Sequence, residues 1–454
     1  MVNLSELDLH SLINPDGFEC SCGKRHFVDI KLMEIGKGAI RETVKAVNTI
    51  GSKHPLVVCG PNGYRVAGER VYGMLLDGGI DAKLFVVPDM GDSHIKPAEP
   101  AMGSLVLNFS HDRDMVLAVG SGVINDLCKV LSKIAKIPYM VVGTAPSMDG
   151  YTSASSSMEV NNVKLTLDEQ APSCVILDTD ILAQAPMHMI HAGFGDIIAK
   201  YTALCEWQIS NIATEEYYCE NVAGLTSKAI KAVLSGAEGI PSRDPDAIQS
   251  IAEGLIISGI AMAFADTSHP ASGLEHYFSH FREMQALERK EDCDLHGIQT
   301  GIGALLTLKI YKFLKKITPT YEHAVEAADN FDYAAWENEI KRVFSSTYED
   351  ILKIEASARK NDREGRLKRA ERIISNWDRI LSIIENTLPE YDSVKDLMEK
   401  IGAPTKPSEI GMSADDVIDA FVHSRDMRNK YLISSLIWDI GYMDAFAEML
   451  REEL

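Results

Sequence analysis

The feature that most constrains the fold is a change of texture near residue 185. Before it, short apolar runs rich in β-branched residues alternate with helical patterns. After it, such runs vanish. The runs are Pro55–Cys59, Lys83–Val87, Met115–Val119, Pro138–Val142 and Cys174–Leu177. Each is short for a helix and too uniformly apolar for a half-solvated strand, which points to a parallel sheet covered on both faces. Between two of them, Val123, Ile124, Leu127, Val130, Leu131 and Ile134 recur at helical spacing. Later stretches, among them Ala247–Phe264, Gly301–Leu314 and Leu367–Asn386, read as long helices. The expected architecture is an α/β domain over residues 1–185 and an all-α domain over 186–454, a division that suits 454 residues.

Charge narrows the partners. A formal net charge of −21 argues against nucleic acid, because a phosphate backbone calls for a basic surface. An anionic small substrate would need a local positive site such as a metal, a lysine or a helix N-terminus. The opening MVNLSELDLHSL lacks a basic segment followed by an apolar core, so it does not read as a signal peptide. The longest apolar stretch, Gly254–Ala265, has 12 residues, against about 20 for a membrane span. A cytoplasmic protein without membrane insertion is therefore expected.

The eight cysteines are scattered, and free thiols are expected in that compartment. Cys20, Cys22 and His26, in FECSCGKRHF, offer part of a metal site. Structural zinc takes four ligands, usually from paired knuckles. No fourth ligand stands nearby in sequence, so a surface loop is the favoured reading. The basic stretch Arg359–Arg372 alternates with acids and reads as a solvated helix face.

Two regions carry candidate chemistry. The run Met115–Val119 leads directly into Gly120-Ser121-Gly122-Val123-Ile124-Asn125-Asp126 and then a helix. Glycines there let backbone N–H groups approach a pyrophosphate at a helix N-terminus. The match to G-x-G-x-x-G is incomplete, because Asn125 stands where the third glycine would be, and a plain strand–helix turn has the same pattern. The next run ends in Gly143-Thr-Ala-Pro-Ser147-Met-Asp149-Gly-Tyr-Thr-Ser153. So many small and hydroxylated residues at the carboxyl end of a strand suit a polar ligand crevice. A Ser/Thr-rich loop is the plainer alternative.

The second region holds histidines. His276 and His280 stand four apart, on one helical face, and His296 follows twenty residues after His276. Asp196, in GFGDIIAK, opens another helical segment, with Lys200 on its face. Any one of these histidines alone reads as a hydrogen-bonded core residue. Together with Asp196 they offer a set that leaves a coordination position open for a substrate oxygen.

The strings GSGVIND, GTAPSMDGYTS, GFGDIIAK, GLEHYFSH and LHGIQTG stand in an order and at distances that resemble the sn-glycerol-1-phosphate dehydrogenases. These belong with the iron-containing alcohol dehydrogenases, glycerol dehydrogenase and 3-dehydroquinate synthase. The resemblance covers roughly residues 30 to 445 and implies a dehydroquinate synthase-like fold. It implies contacts to the nicotinamide nucleotide from Gly122, Val123, Ile124, Asn125, Asp126, Thr144, Ala145, Pro146, Ser147 and Ser153. It implies metal ligation by Asp196, His276 and His296, and a substrate pocket lined by Asp149, Asp196 and His280. Zinc is the first expectation for the metal, with nickel or iron as alternatives. The CSCGKRH segment and a longer helical region around residues 325–390 depart from shorter members.

The implied reaction is hydride transfer between NAD(P)H and dihydroxyacetone phosphate, giving sn-glycerol 1-phosphate. The metal would act on the C2 oxygen as a Lewis acid. His280 is the expected proton shuttle or hydroxyl anchor, and Asp149 the holder of a terminal hydroxyl. Lys200 and Arg282 are candidates for the phosphate. The first strand ends in Cys59-Gly60-Pro61-Asn62 without an acid, so either nucleotide is open. A homodimer or larger homo-oligomer is expected. The competing readings are a polyol or alcohol dehydrogenase, a dehydroquinate-synthase-like lyase, and a non-catalytic nucleotide-binding protein.

Overall fold

The computed structural model describes residues 2–89, 95–160 and 163–454. Six parallel strands form one sheet: β3 (Leu32–Gly36), β4 (Pro55–Cys59), β5 (Lys83–Val86), β6 (Met115–Gly120), β7 (Tyr139–Gly143) and β10 (Cys174–Asp178). Their order across the sheet is β3-β10-β7-β6-β4-β5. The five expected apolar runs supply five of these strands. Leu56 to Cys59, Met115 to Val119 and Tyr139 to Val142 are fully buried, as strands covered on both faces must be. The sixth strand, β3, was not among the expected runs. It lies at the sheet edge beside β10 alone, and its last three residues are half-buried.

A small antiparallel pair, β8 (Ser155–Val160) and β9 (Val163–Asp168), also lay outside the expected elements. Its sequence is polar and serine-rich, so it carries no apolar run. A shorter pair, β1 (Phe18–Glu19) and β2 (Arg25–His26), encloses the CSCGK turn. This segment is no loose surface loop. His26 is fully buried, its ring stacks on Phe264 with centroids 5.5 Å apart, and its Nδ1 lies 2.8 Å from the Phe264 carbonyl.

The helices that matter below are α1 (Gly122–Ala135), α2 (Met187–Thr214), α3 (Glu220–Gly236), α4 (Pro245–Ala265), α5 (Leu274–Arg289) and α6 (His296–Leu314). Helix α4 is long and apolar enough to cross a membrane, with mean hydropathy 1.6, but 67% of that window is buried inside the protein. The stretch expected as one helix over Leu367–Asn386 is two, Arg363–Ser375 and Trp377–Thr387, broken at Asn376.

The chain divides into two compact units. One comprises Met1–Ile197, Cys219–Pro270 and Leu295–Gly297; the other comprises Ile198–Tyr218, Ala271–Asp294 and Ile298–Leu454. Strands end at Asp178 among the described residues, yet the units do not follow the expected boundary at 185/186. Helices α3 and α4 belong with the sheet because the N-terminal segment and the β7 loop are built onto them. Lys228 of α3 donates to the Leu7 carbonyl (3.1 Å), Phe18 packs edge-on against Phe264 of α4 (6.0 Å), and Thr152 donates to the Ile256 carbonyl (3.1 Å).

The second unit is helical. Its basic stretch is not the solvated face expected. Arg366 is buried and stacks on the Trp438 ring at 3.8 Å, while Arg369 makes a two-pronged pair with the buried carboxylate of Asp439, both contacts 2.8 Å. Lys368 and Glu371, between and beyond them, do face solvent.

Candidate active site

The order of the strands locates a crevice. From β4 the chain moves outward to β5, then returns to the other side of β4 for β6 and continues to β7. Ligands of open α/β sheets bind beyond the carboxyl ends of the strands where this direction reverses, here β4 and β6. Glycines sit at that edge. Gly120 and Gly143 face each other across β6 and β7. A Cβ on Gly143 would meet the Leu177 side chain at 2.3 Å, and one on Gly120 would meet Ile124 at 2.7 Å. A side chain at either position would force these neighbours to shift. Helix α1 then starts at Gly122 behind Ser121, whose side chain does not cap it. Its first-turn N–H groups and the positive end of its dipole are what an anion requires.

Two residues of these loops bind the protein itself. Asn125 is fully buried; its amide donates to the Gly150 carbonyl (3.2 Å) and its oxygen accepts from the Tyr139 hydroxyl. It thus replaces a third glycine by holding the next loop in place. Ser153 is buried and occupied with the Gly150 carbonyl (3.2 Å) and Lys129 (3.0 Å). Ile124, Ala145 and Ser147 are buried as well, while Gly122, Val123, Asp126 and Thr144 are partly exposed. Although Asp126 is partly exposed, loss of water around its carboxyl raises it to about 6, against the pull of Lys129.

Lys129 was missed by the sequence reading. It is fully buried, and its ammonium donates to the carbonyls of Gly150 and Ser155 (2.9 Å for the latter) and to Ser153. Burial pulls its pKa down to about 8, opposed by Asp126, Asp149 and Glu169. The available signal was a lysine on the apolar face of α1, between Leu127 and Val130.

The loop after β7 reaches the candidate metal ligands. The Asp149 amide donates to Oδ2 of Asp196 at 2.9 Å, and the Asp149 carboxylate accepts from Ser258 at 2.8 Å. Asp196 is fully buried on α2. The close approach depends on glycine again: a Cβ on Gly193 would lie 1.9 Å from the Pro146 carbonyl oxygen, and one on Gly259 would lie 2.1 Å from Oγ1 of Thr152.

Ligand atoms of Asp196, His276 and His296 all lie within 4.8 Å of one another. His276 is buried on α5, and its Nδ1 is 2.9 Å from the Glu275 carboxylate, which leaves Nε2 for a metal. Glu275 is itself fully buried and accepts from the Thr202 hydroxyl at 2.6 Å. Burial raises its carboxyl, while Thr202 and the Gly273 amide favour the charged form. His296 is half-exposed at the first position of α6. One carboxylate and two imidazoles are a donor set for zinc, nickel or iron rather than for magnesium or calcium, so the residues present fit such an ion.

The remaining candidates fall out as follows. His280 lies one turn along α5, with its ring centroid 6.4 Å from that of His276 and its Nδ1 3.5 Å from the Glu283 carboxylate. Lys200 is fully buried on α2. Arg282 is buried and engaged elsewhere: it donates to the Ile410 carbonyl at 2.9 Å and pairs with Glu291 at 3.0 Å.

Residues 34–186, from β3 past β10, match the family model described as iron-containing alcohol dehydrogenase. The chain is 31% identical over 402 residues to a glycerol-1-phosphate dehydrogenase [NAD(P)+] of Halalkalibacterium halodurans, covering 88% of this chain and 90% of that one. It is 33% identical over 304 residues to the protein of the same name from Pyrococcus furiosus, covering 64% and 85%. Among solved structures, glycerol dehydrogenase from Schizosaccharomyces pombe superposes with a TM-score of 0.59 at 14% identity, covering 96% of this chain and 94% of that one. Maleylacetate reductase from a Rhizobium species gives 0.58 at 14% identity, covering 93% and 96%. These two likenesses concern the fold.

Proposed function

The chain belongs to the glycerol-1-phosphate dehydrogenase family, and on that footing we propose that it transfers hydride reversibly between NAD(P)H and dihydroxyacetone phosphate, with sn-glycerol 1-phosphate as the reduced product. The observation that carries this reading is the convergence of Asp196, His276 and His296 in a member of that family. A divalent metal, zinc first and nickel or iron as alternatives, supplies Lewis acidity toward the substrate's C2 oxygen when bound there.

The chain's own residues do the rest. The uncapped first turn of α1, Gly122 to Asp126, and the loop Thr144 to Ser147 receive the nucleotide at the reversal point of the sheet. Asn125, Lys129 and Ser153 hold the loop that carries Asp149. Asp149, steadied by Ser258, accepts a hydrogen bond from a terminal substrate hydroxyl. His280 gives a proton toward the C2 oxygen in reduction and takes it back in oxidation, with the Glu283 carboxylate 3.5 Å from its Nδ1. Lys200 remains the phosphate candidate, since Arg282 is engaged elsewhere. The Gly60-Pro61-Asn62 turn that directly follows β4 carries no carboxylate, which supports use of both nucleotides. The reading extends to a cytoplasmic enzyme acting as a homodimer or larger homo-oligomer.

The test follows nicotinamide absorbance with NADH or NADPH, dihydroxyacetone phosphate, and zinc, nickel or iron supplied in turn. Turnover is expected, together with oxidation of sn-glycerol 1-phosphate in preference to its 3-phosphate enantiomer and to glycerol. Silence under every metal would sink the substrate assignment. Preference for glycerol would move the protein to the polyol dehydrogenases.

A further inference from the structure

We propose that Cys20, Cys22, His26 and Cys219 form a second metal site, a tetrahedral zinc centre that fastens the N-terminal hairpin to the start of helix α3. The fourth ligand, which spacing in the sequence could not supply, arrives from 193 residues beyond His26. One donor atom from each of the four residues lies within 4.8 Å of the others.

The separations fit tetrahedral coordination and not a disulfide. Zinc–sulfur bonds of about 2.3 Å and zinc–nitrogen bonds of about 2.0–2.1 Å at tetrahedral angles put sulfur pairs roughly 3.8 Å apart and sulfur–nitrogen pairs roughly 3.6 Å apart. The Cys20 and Cys219 sulfurs are 3.7 Å apart, and Nε2 of His26 is 3.5 Å from both Cys22 and Cys219. A disulfide would need about 2.05 Å. Two thiols could at most form one such bond; three thiols around one imidazole nitrogen have a different use.

The supporting contacts are those of a metal centre. Nδ1 of His26 faces the Phe264 carbonyl at 2.8 Å, so it carries the proton and Nε2 keeps its lone pair for a ligand. The Asn221 side-chain amide donates to the Cys20 sulfur at 3.2 Å, as outer partners of bound thiolates do. The turn that presents Cys20 and Cys22 is closed by Gly23 at φ +85°, whose N–H donates to the Cys20 carbonyl at 3.1 Å. Cys219 immediately precedes α3, so its thiolate sits at the positive end of that helix. His26 and Cys219 are buried, while Cys20 and Cys22 are half-exposed, which leaves a way in for the ion. Binding would release the thiol protons and tie the segment before β3 to α3. None of these residues belongs to the Asp196, His276 and His296 set, so the role is structural.

The test counts metal in the full-length protein after reconstitution with zinc and removal of excess. Two equivalents per chain are expected. Cys219→Ala should hold one and keep kcat within about twofold, whereas His276→Ala should hold one and lose turnover. Cobalt in place of zinc gives a readout that does not depend on any variant folding. The wild type should show the near-ultraviolet thiolate-to-cobalt charge-transfer band, and His276→Ala should retain it. One equivalent in the wild type with no such band would overturn the proposal. So would peptide mapping that recovers Cys20 disulfide-linked to Cys219 from protein prepared without oxidant.

Discussion

A methyl group on Gly297 would come within 1.9 Å of the Ala192 carbonyl oxygen. Gly297 directly follows His296, and Ala192 lies one turn before Asp196 on α2. The two backbones touch, and that contact sets how near two candidate ligands come. Gly297→Ala should therefore push the segments apart. The expected outcome is a loss of about 1–3 kcal/mol of stability from overpacking, with weaker metal retention and a lower kcat. Gly73→Ala is the control. Nothing lies within 4 Å of its Cβ on the helix Glu69–Asp77, so denaturant unfolding should show it neutral or more stable by up to about 1 kcal/mol.

Glu275 acts on the metal through His276. Glu275→Gln keeps the shape but weakens the acceptor for Nδ1. Removing such outer partners weakens metal binding about 10–100-fold. Competition with a chelator should reveal that loss in Glu275→Gln. His276→Ala should lose the ion and all activity. Unchanged metal content in His276→Ala would show the ligand assignment to be wrong.

Asn125→Gly restores the glycine pattern that the sequence lacks, yet it should harm the protein. The buried Tyr139 hydroxyl would lose its partner, at about 1–3 kcal/mol for a buried group left unsatisfied, while the Gly150 carbonyl would keep Lys129 and Ser153. Calorimetry should show a lower Tm, and the KM for the nucleotide should rise rather than fall.

Lys129 adds a pH dependence. Its folded pKa is depressed from 10.5 to about 8 by burial. Between those values the unfolded chain binds the proton that the folded chain has released, so this contribution to stability rises with pH across that window. Below about pH 8 the burial cost of the ammonium is felt in full. Denaturant titrations at a series of pH values should show the wild type gaining on Lys129→Met from pH 8 to 10.5. A difference that stays flat or narrows would contradict it.

Much of this was legible beforehand, for reasons that differ by element. The buried strands advertise themselves, because a strand covered on both faces has no polar positions to dilute it. β3 and the β8–β9 pair do not: one lies at an edge and the other is serine-rich. The grouping of Asp196, His276 and His296 was open to expectation because each of the three stands in a distinctive local string. Cys219 was not, since its partners lie about two hundred positions away and its neighbours carry no signal. Lys129, Arg366 and Arg369 show the same limit for charge. A cation's partner decides whether it faces water, and that partner is not adjacent in sequence.

The seat of His26 also sets an order of events. Its ring rests on Phe264, 238 residues later. At roughly 5–20 residues added per second, a nascent chain makes that partner about 10–50 s after His26 itself. The hairpin thus spends most of synthesis waiting, while β4, β6, β7 and β10 already have one another. It is a late latch on the sheet unit, and a ribosome stalled before α4 would leave it open.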